Sequence, residues 1–299
     1  MKMMLTIIFR LTVSCLIAGT IMGMTFILTN EAKKSNEIAR EEKVVYSLLG
    51  FSKENPIPES MGIHEVFRYV ITEDETQSIG YLVPAGAHGE HGGFSFVRIS
   101  LDGSFVDQTA VELSEEKIRD QGDRDASIQT AIGAAKSLRF IDQTIVVTDH
   151  GQRSAYLLHG KFPGFKTNIA IMLALDPSFS VIGLEVMEHE EDPGLGAEIE
   201  QDYFKNQFKH KPFDKIKQIE VVKKPLPDEY MEALEGRIDE AAALDILMQY
   251  KDQDIYALTG ATISTEKVSS GVKGMTKKFA YRMDILDNVL AEQHIGVPF

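Results

Sequence analysis

The sequence of 299 residues contains no tryptophan and a single cysteine, Cys15. One cysteine excludes an intramolecular disulfide and a CxxC metal site, and it excludes an iron–sulfur cluster or haem held by this chain's own cysteines. Neither a G-x-S-x-G nucleophile motif nor a phosphate-binding P-loop occurs. What remains is a folded chain of ordinary composition, with 43% hydrophobic and 25% charged residues.

Positive charge is scarce. The chain has 31 Lys and Arg residues against 45 Asp and Glu residues, which gives a formal net charge of −14. Binding to nucleic acid requires lysine and arginine to displace counterions from phosphates, so this balance argues against a nucleic-acid partner. The length allows one large domain or two modest ones.

Long uncharged runs are also absent, except at the N-terminus. Leu11–Thr29 holds no charged residue, and about 20 apolar residues are enough to cross a bilayer as a helix. Residues 1–30 are therefore predicted to be a transmembrane anchor. Lys2 and Arg10 precede the run, which favours a single-pass protein of the bacterial inner membrane with its acidic bulk on the extracytoplasmic side. A cleaved signal peptide would need a shorter apolar core, and lipid attachment at Cys15 would need a different preceding sequence.

The rest of the chain predicts an α+β fold, because its strands come in runs rather than in strict alternation with helices. Residues 64–107 alternate apolar and polar positions between turn residues, which is typical of strands. A soft boundary near residue 150 separates an α+β extension of unknown role, residues 31–150, from a second domain, residues 151–299. Further elements are predicted at Ala126–Leu138 (helix), Thr144–Val147, Ala155–Gly160, Asn168–Ala174 and Val181–Met187 (strands), and Ser264–Leu290 (helix).

The sequence Leu-Thr-Gly-Ala-Thr-Ile-Ser-Thr-Glu at 258–266 leads into the last predicted helix. Gly260 and Ala261 allow close approach to the main chain, and the start of a helix attracts anions. Taken alone, the segment fits either a phosphate-binding turn or an ordinary capped helix start.

Two segments together resemble a known family. Thr259–Ser264 is similar to the S/T-G-A-T-x-S/T motif of the FMN-binding domain family, and Glu188–Glu198 resembles its E-H-x-E-T-P-G-L-G segment. This family includes the G subunit of the Rnf electron-transport complex and the C subunit of the sodium-translocating NADH:quinone oxidoreductase. The resemblance covers roughly residues 154–289. Asp192 replaces the family's threonine before Pro-Gly-Leu-Gly, and Tyr256 replaces an aspartate common six residues before the motif's second threonine.

The resemblance implies a flavoprotein in which a flavin transferase attaches FMN by a phosphoester bond to Thr262. It implies an electron-carrying subunit of an Rnf-type ferredoxin:NAD oxidoreductase, with other membrane and iron–sulfur subunits as partners and no substrate turnover by the isolated chain. The cofactor-binding residues implied beside Thr262 are Thr259, Gly260, Ala261, Ser264, Pro193, Gly194, Leu195, Gly196 and Glu188.

Three alternatives stay open at this stage. The chain could be the subunit of the quinone-reductase type, a tethered assembly module without flavin, or an extracytoplasmic reductase, although a second flavin domain is missing for the last. His88, Glu90 and His91 could contribute to a metal site, but the surrounding glycines indicate a loop and a third ligand is not identifiable, so no metal is predicted.

Overall fold

The computed structural model describes residues 2–86, 93–114 and 117–299. The candidate metal residues His88, Glu90 and His91 lie outside these ranges. The chain divides into two compact units, Met1–Ser52 and Lys53–Phe299. The helices are α1 (Lys2–Leu48), α2 (Gln121–Ile132), α3 (Asp202–Lys205), α4 (Phe213–Ile216), α5 (Asp228–Leu234), α6 (Glu240–Tyr250) and α7 (Thr262–Glu292), with 3-10 helices at Gly196–Glu200 and Asn206–Phe208.

The strands are β1 (Met61–Glu73), β2 (Thr76–Pro84), β3 (Phe94–Ser100), β4 (Phe105–Val111), β5 (Ser137–Asp149), β6 (Gln152–Pro163), β7 (Asn168–Leu175), β8 (Val181–Glu188), β9 (Val221–Val222) and β10 (Ile255–Tyr256). The predicted α+β class is confirmed.

The first unit consists mainly of α1, a single helix of 47 residues. Among the described residues it is the one helix long and apolar enough, by length and composition, to cross a membrane. Its apolar side chains, such as Phe9 and Phe26, are exposed. The hydroxyls of Thr12 and Thr20 donate to carbonyl oxygens four residues back at 2.9 and 2.8 Å, so they need no partner outside the helix. This helix fits the predicted anchor.

In the second unit, one antiparallel sheet of eight strands has the order β4-β3-β2-β1-β5-β6-β7-β8. The predicted boundary near residue 150 falls in the β5–β6 hairpin turn, where His150 and Gly151 have positive φ values of 49° and 76°. Strands on both sides of this turn share one hydrogen-bonded sheet. The division into two domains at residue 150 stays a prediction.

Period-two alternation gives this sheet two cores, one on each face. On β2, Tyr81 and Val83 belong to the core on one face, which we call core 1. Leu82 belongs to the core on the other face, which we call core 2. Core 2 also takes Ile128 and Ile132 from α2. Core 1 draws its residues from strands on both sides of residue 150 and from α7. Both halves of the sheet therefore depend on the same apolar layer.

Helix α7 crosses the sheet within core 1. A Cβ on Gly160 of β6 would lie 2.0 Å from Met275 Sδ, and a Cβ on Gly271 would lie 2.4 Å from an atom of the Phe162 ring, so glycine permits this close packing. Farther along, Arg153 of β6 donates two hydrogen bonds of 2.6 Å to the carboxylate of Asp287. These contacts fix α7 on the strands it covers.

Two predicted elements were placed wrongly. The helix predicted at Ala126–Leu138 is α2, which begins earlier because Asp120 caps its N-terminus through a 3.1 Å bond from the N–H of Asp123. It ends at Ile132 because Gly133 adopts a φ of 91°. The strand predicted at Thr144–Val147 is β5, which begins seven residues earlier, at Ser137.

Candidate cofactor site

A tight turn precedes α7. The N–H of Ala261 donates to the carbonyl of Leu258 at 3.0 Å, and Gly260, the third residue of this turn, has a φ of 77°. That position of a type II turn requires positive φ, which explains the glycine. Thr265 holds the turn from the helix, because its Oγ1 accepts from the N–H of Leu258 and donates to the carbonyl of Ala261, both at 3.1 Å. The sequence prediction missed Thr265.

Thr262 is the first residue of α7, two residues before the predicted start, and its side chain is half-buried. Ala261 precedes it, and the side chain of this alanine makes no hydrogen bond that would cap the N-terminus of α7. The first N–H groups of an α-helix lack intrahelical acceptors and, with the helix dipole, they favour an anion. The Thr262 hydroxyl therefore stands where a phosphate group would be stabilised.

The Pro-Gly-Leu-Gly segment makes a second turn. The N–H of Leu195 donates to the carbonyl of Asp192 at 3.1 Å, with Pro193 second in the turn and Gly194 third at a φ of 72°. Proline and glycine at these two places are typical of a type II turn. Pro193 and Gly194 lie toward the surface, so the turn presents main chain to solvent.

The fold brings the two turns together. A Cβ on Gly260 would lie 2.8 Å from Leu195 Cδ2, and a Cβ on Gly196 would lie 2.8 Å from Ser264 Oγ. Of the predicted cofactor residues, Leu195, Gly196, Gly260 and Ser264 are thus neighbours. Glu188 ends β8 with an exposed side chain, and the carboxylate that reaches Ser264 belongs instead to Glu191.

Glu191 joins three segments of the site. Its side chain is buried, and its Oε2 accepts from Ser264 Oγ at 2.5 Å. Its Oε1 accepts from the N–H groups of Phe165 and Lys166 at 2.8 and 3.1 Å. The Cβ of any residue other than glycine at position 164 would lie 2.5 Å from Oε1. A carboxylate accepts up to four such bonds, so all three donors find an acceptor on Glu191.

Three large apolar side chains remain exposed around these turns. They belong to Phe165 (57% exposed), Leu195 (46%) and Ile263 (48%). Contiguous exposed apolar groups with a polar rim mark a ligand or partner surface more often than scattered ones do. Salt bridges of Lys166 with Asp192 and of Lys223 with Glu266 provide polar groups nearby.

Two buried side chains hold the segment that precedes the Gly260 turn. Gln207, which is buried, accepts from the N–H of Tyr256 at 2.7 Å and donates to its carbonyl at 3.3 Å. Buried Lys211 donates to the carbonyl of Gln253 at 2.6 Å, and burial lowers the pKa of its amine to about 8. These contacts fix the approach to Thr262.

Asp254 is the acid nearest to the position that Tyr256 occupies in the motif. Burial raises the pKa of Asp254, but the hydrogen bond from Lys215 at 2.5 Å and the N–H of Glu220 outweigh burial, so the pKa is lower than usual. Asp254 is therefore held in an ion pair with Lys215 and a hydrogen bond to the main chain of Glu220.

Among the described residues, no group of three or more His, Cys, Asp or Glu side chains could hold a metal ion. His189 Nδ1 accepts from the N–H of Glu191 at 3.0 Å, and its Nε2 lies 2.9 Å from Glu200 Oε1. This histidine therefore helps to shape the loop that carries Glu191.

Replacing Gly260 with alanine is expected to lower the free energy of unfolding by about 1–2 kcal/mol, because φ > 0 is strained for alanine. The Leu195 methyl can move aside, so backbone strain dominates. Gly274 is the matched control: it lies inside α7 with open space around it, and alanine there is expected to stabilise the helix by about 0.5–1 kcal/mol. Urea unfolding of the two variants would show opposite signs; equal signs would contradict this account.

Part of the chain is similar to known proteins. Residues 164–277 match the model of the FMN-binding domain. The G subunit of the proton-translocating ferredoxin:NAD(+) oxidoreductase complex of Clostridium ljungdahlii is 30% identical over 120 residues, which cover 40% of this chain and 50% of that protein. The G subunit of the ion-translocating oxidoreductase complex of Pasteurella multocida is 34% identical over 61 residues, or 20% of this chain and 30% of that protein.

The matched regions thus span half or less of these curated relatives. Among solved structures, NqrC of Shewanella oneidensis aligns with a TM-score of 0.34 and 21% identity, over 46% of this chain and 56% of that one.

Proposed function

We propose that this chain, whose residues 164–277 match the FMN-binding domain, is a membrane-anchored flavoprotein subunit that carries electrons in an Rnf-type ion-translocating complex, with FMN attached to Thr262 by a phosphoester bond. The observation that carries the proposal is the position of Thr262. Its hydroxyl stands at an uncapped helix start, beside a glycine turn that packs against the Pro-Gly-Leu-Gly turn.

The residues present suit FMN at both of its ends. The N–H groups at the start of α7 would face the phosphate, and the dipole of α7 would stabilise its charge. The exposed side chains of Leu195 and Ile263 would cover part of a flat apolar ring. Bound FMN would supply the redox chemistry, while this chain would orient the cofactor and shield it from water.

The remaining parts of the proposal concern the assembly. Helix α1 would anchor the chain in the inner membrane, with Lys53–Phe299 on the extracytoplasmic side. Because the cysteine content excludes an iron–sulfur cluster ligated by this chain's own cysteines, electrons would have to come from and go to other membrane and iron–sulfur subunits. A flavin transferase would complete the maturation.

The proposal is tested by producing the full chain with and without a flavin transferase and measuring the intact mass. The expected result is one FMN adduct per chain with the transferase present and none without it. An unmodified chain in both samples would contradict covalent attachment.

That contrary outcome would favour the second candidate, an assembly module without flavin. Tyr256 is the observation behind it, because the motif's usual aspartate is absent and Asp254 is held by Lys215. Restoring the acid with Tyr256→Asp separates the two cases. If recognition by the transferase is what fails, the adduct appears in the Tyr256→Asp variant alone.

A further inference from the structure

The tip of the β6–β7 hairpin is a short turn that contacts the candidate site through Glu191. The N–H of Gly164 donates to the carbonyl of Thr167 at 2.6 Å, which closes the turn. Phe165 stands on it with 57% of its surface exposed. Single exposed apolar residues are common on proteins, so exposure alone assigns no role.

What distinguishes Phe165 is the way its main chain is held. Its N–H and that of Lys166 both donate to Oε1 of buried Glu191, whose Oε2 accepts from Ser264. Ser264 lies in the first turn of α7, two residues after Thr262. One carboxylate therefore connects the hairpin tip rigidly to the helix start that carries the acceptor hydroxyl.

Two glycines make room for this connection. A Cβ at position 164 would lie 2.5 Å from Glu191 Oε1, and a Cβ at position 196 would lie 2.7 Å from Oε2. The N–H groups of Phe165 and Lys166 would lose their acceptor if the carboxylate moved away, and this cost favours its observed position. Phe165, Leu195 and Ile263 are then three exposed apolar groups on three segments held together at one point.

We infer that the β6–β7 hairpin tip forms a further wall of the flavin seat, with the Phe165 ring against the isoalloxazine ring and Glu191 as the positioning residue that holds the tip. This inference rests on the proposed function. Aromatic rings stack on flat π-systems at centroid separations of about 4.5–7 Å, and a phenylalanine that is free on one face offers such a surface.

The natural absence of tryptophan makes a spectroscopic test possible. Phe165→Trp, prepared in the flavinylated full chain, introduces the only indole, and an indole stacked on a flavin quenches flavin emission. The expected result is loss of most of the flavin emission per FMN adduct, with the adduct counted by intact mass.

Leu101→Trp is the matched control. Leu101 is 66% exposed in the β3–β4 turn, and β3 lies five strands from β7 in the sheet, or about 24 Å at the usual strand spacing. Emission in this variant is expected to equal that of the unmodified protein. Equal emission from both tryptophan variants would overturn the inference.

The role of Glu191 is tested in the Phe165→Trp background. Adding Glu191→Ala is expected to restore flavin emission, because the tip loses its anchor. Adding Glu191→Gln is expected to keep the emission quenched, since an amide oxygen can still accept from both N–H groups. This rescue by the amide separates positioning from general loss of folding. Quenching that survives Glu191→Ala in a folded protein would remove Glu191 from the proposal.

Failure of the proposed function gives a different result. If the unmodified chain never acquires an FMN adduct, covalent attachment at Thr262 fails. In that case a titration of the Phe165→Trp chain with free FMN still tests the seat, with the indole emission as the signal. If the adduct forms and Phe165→Trp leaves its emission unchanged, only the hairpin-tip inference fails.

Discussion

Replacing Thr262 with alanine is expected to abolish the FMN adduct completely. The phosphoester requires an oxygen at the first residue of α7, and alanine removes that oxygen while it keeps the helix start, since alanine is the best helix former. The Thr262 side chain is half-buried and belongs to neither core, so the stability of the variant should change little. Intact mass after production with the transferase measures the adduct.

Two controls make this result specific. Thr262→Ser keeps a hydroxyl at the same position and is expected to retain some adduct. Thr130→Ala removes an exposed threonine of α2, outside both motif segments, and is expected to retain the full adduct. An adduct that persists in Thr262→Ala, located on a different residue by peptide mapping, would disprove the assignment.

A chain that begins at residue 151 is expected not to fold, even though it contains the whole region matched to the FMN-binding domain. In this fragment β6 loses its partner β5, and core 1 loses six buried residues, namely Val66, Tyr81, Val83, Val97, Ile99 and Val146. At about 1.5–3 kcal/mol for each buried side chain, the loss is on the order of 10 kcal/mol. Such a loss is comparable to the whole stability of a typical domain, about 5–15 kcal/mol.

The matched control is a chain that begins at Lys53, which keeps the entire second unit. It is expected to unfold in one cooperative transition in urea, whereas residues 151–299 are expected to show none. Cooperative unfolding of the shorter chain would instead establish residue 150 as the start of an independent domain, as the sequence pattern predicts.

The apolar parts of the strands could be predicted from the sequence, whereas strand ends rich in polar residues could not. The first part of β5 was missed because Arg139, Asp142 and Gln143 interrupt the apolar alternation there. In the fold, Asp142 is neutralised by Arg68 and Arg282, at 2.5 and 2.9 Å. Such pairing across distant segments leaves no trace in a local pattern. The end of α2 was predictable, because Gly133 is a common signal for a helix end.

In the candidate site, too, the local turns could be predicted from the sequence and the long-range contacts could not. The two turns were predictable because their glycines and proline follow the demands of turn geometry. The Glu191–Ser264 hydrogen bond joins residues 73 positions apart, and the sequence alone offered no reason to prefer Glu191 over the neighbouring acids. The role we infer for Phe165 depends on the same kind of long-range contact, since its exposure becomes informative only once the hydrogen bonds to Glu191 are known.

The length of α7 has a consequence for electron transfer. The helix has 31 residues, which corresponds to about 46 Å, and its Ile285 side chain lies 3.7 Å from where a Cβ on Gly103 would stand, at the β3–β4 turn. A cofactor tethered to the first residue of α7 would therefore move with the sheet that this helix covers. The rate of electron transfer between redox centres falls steeply with the distance between them. Attachment to a helix packed on the sheet, rather than to a moving surface loop, would keep this distance, and therefore the rate, constant.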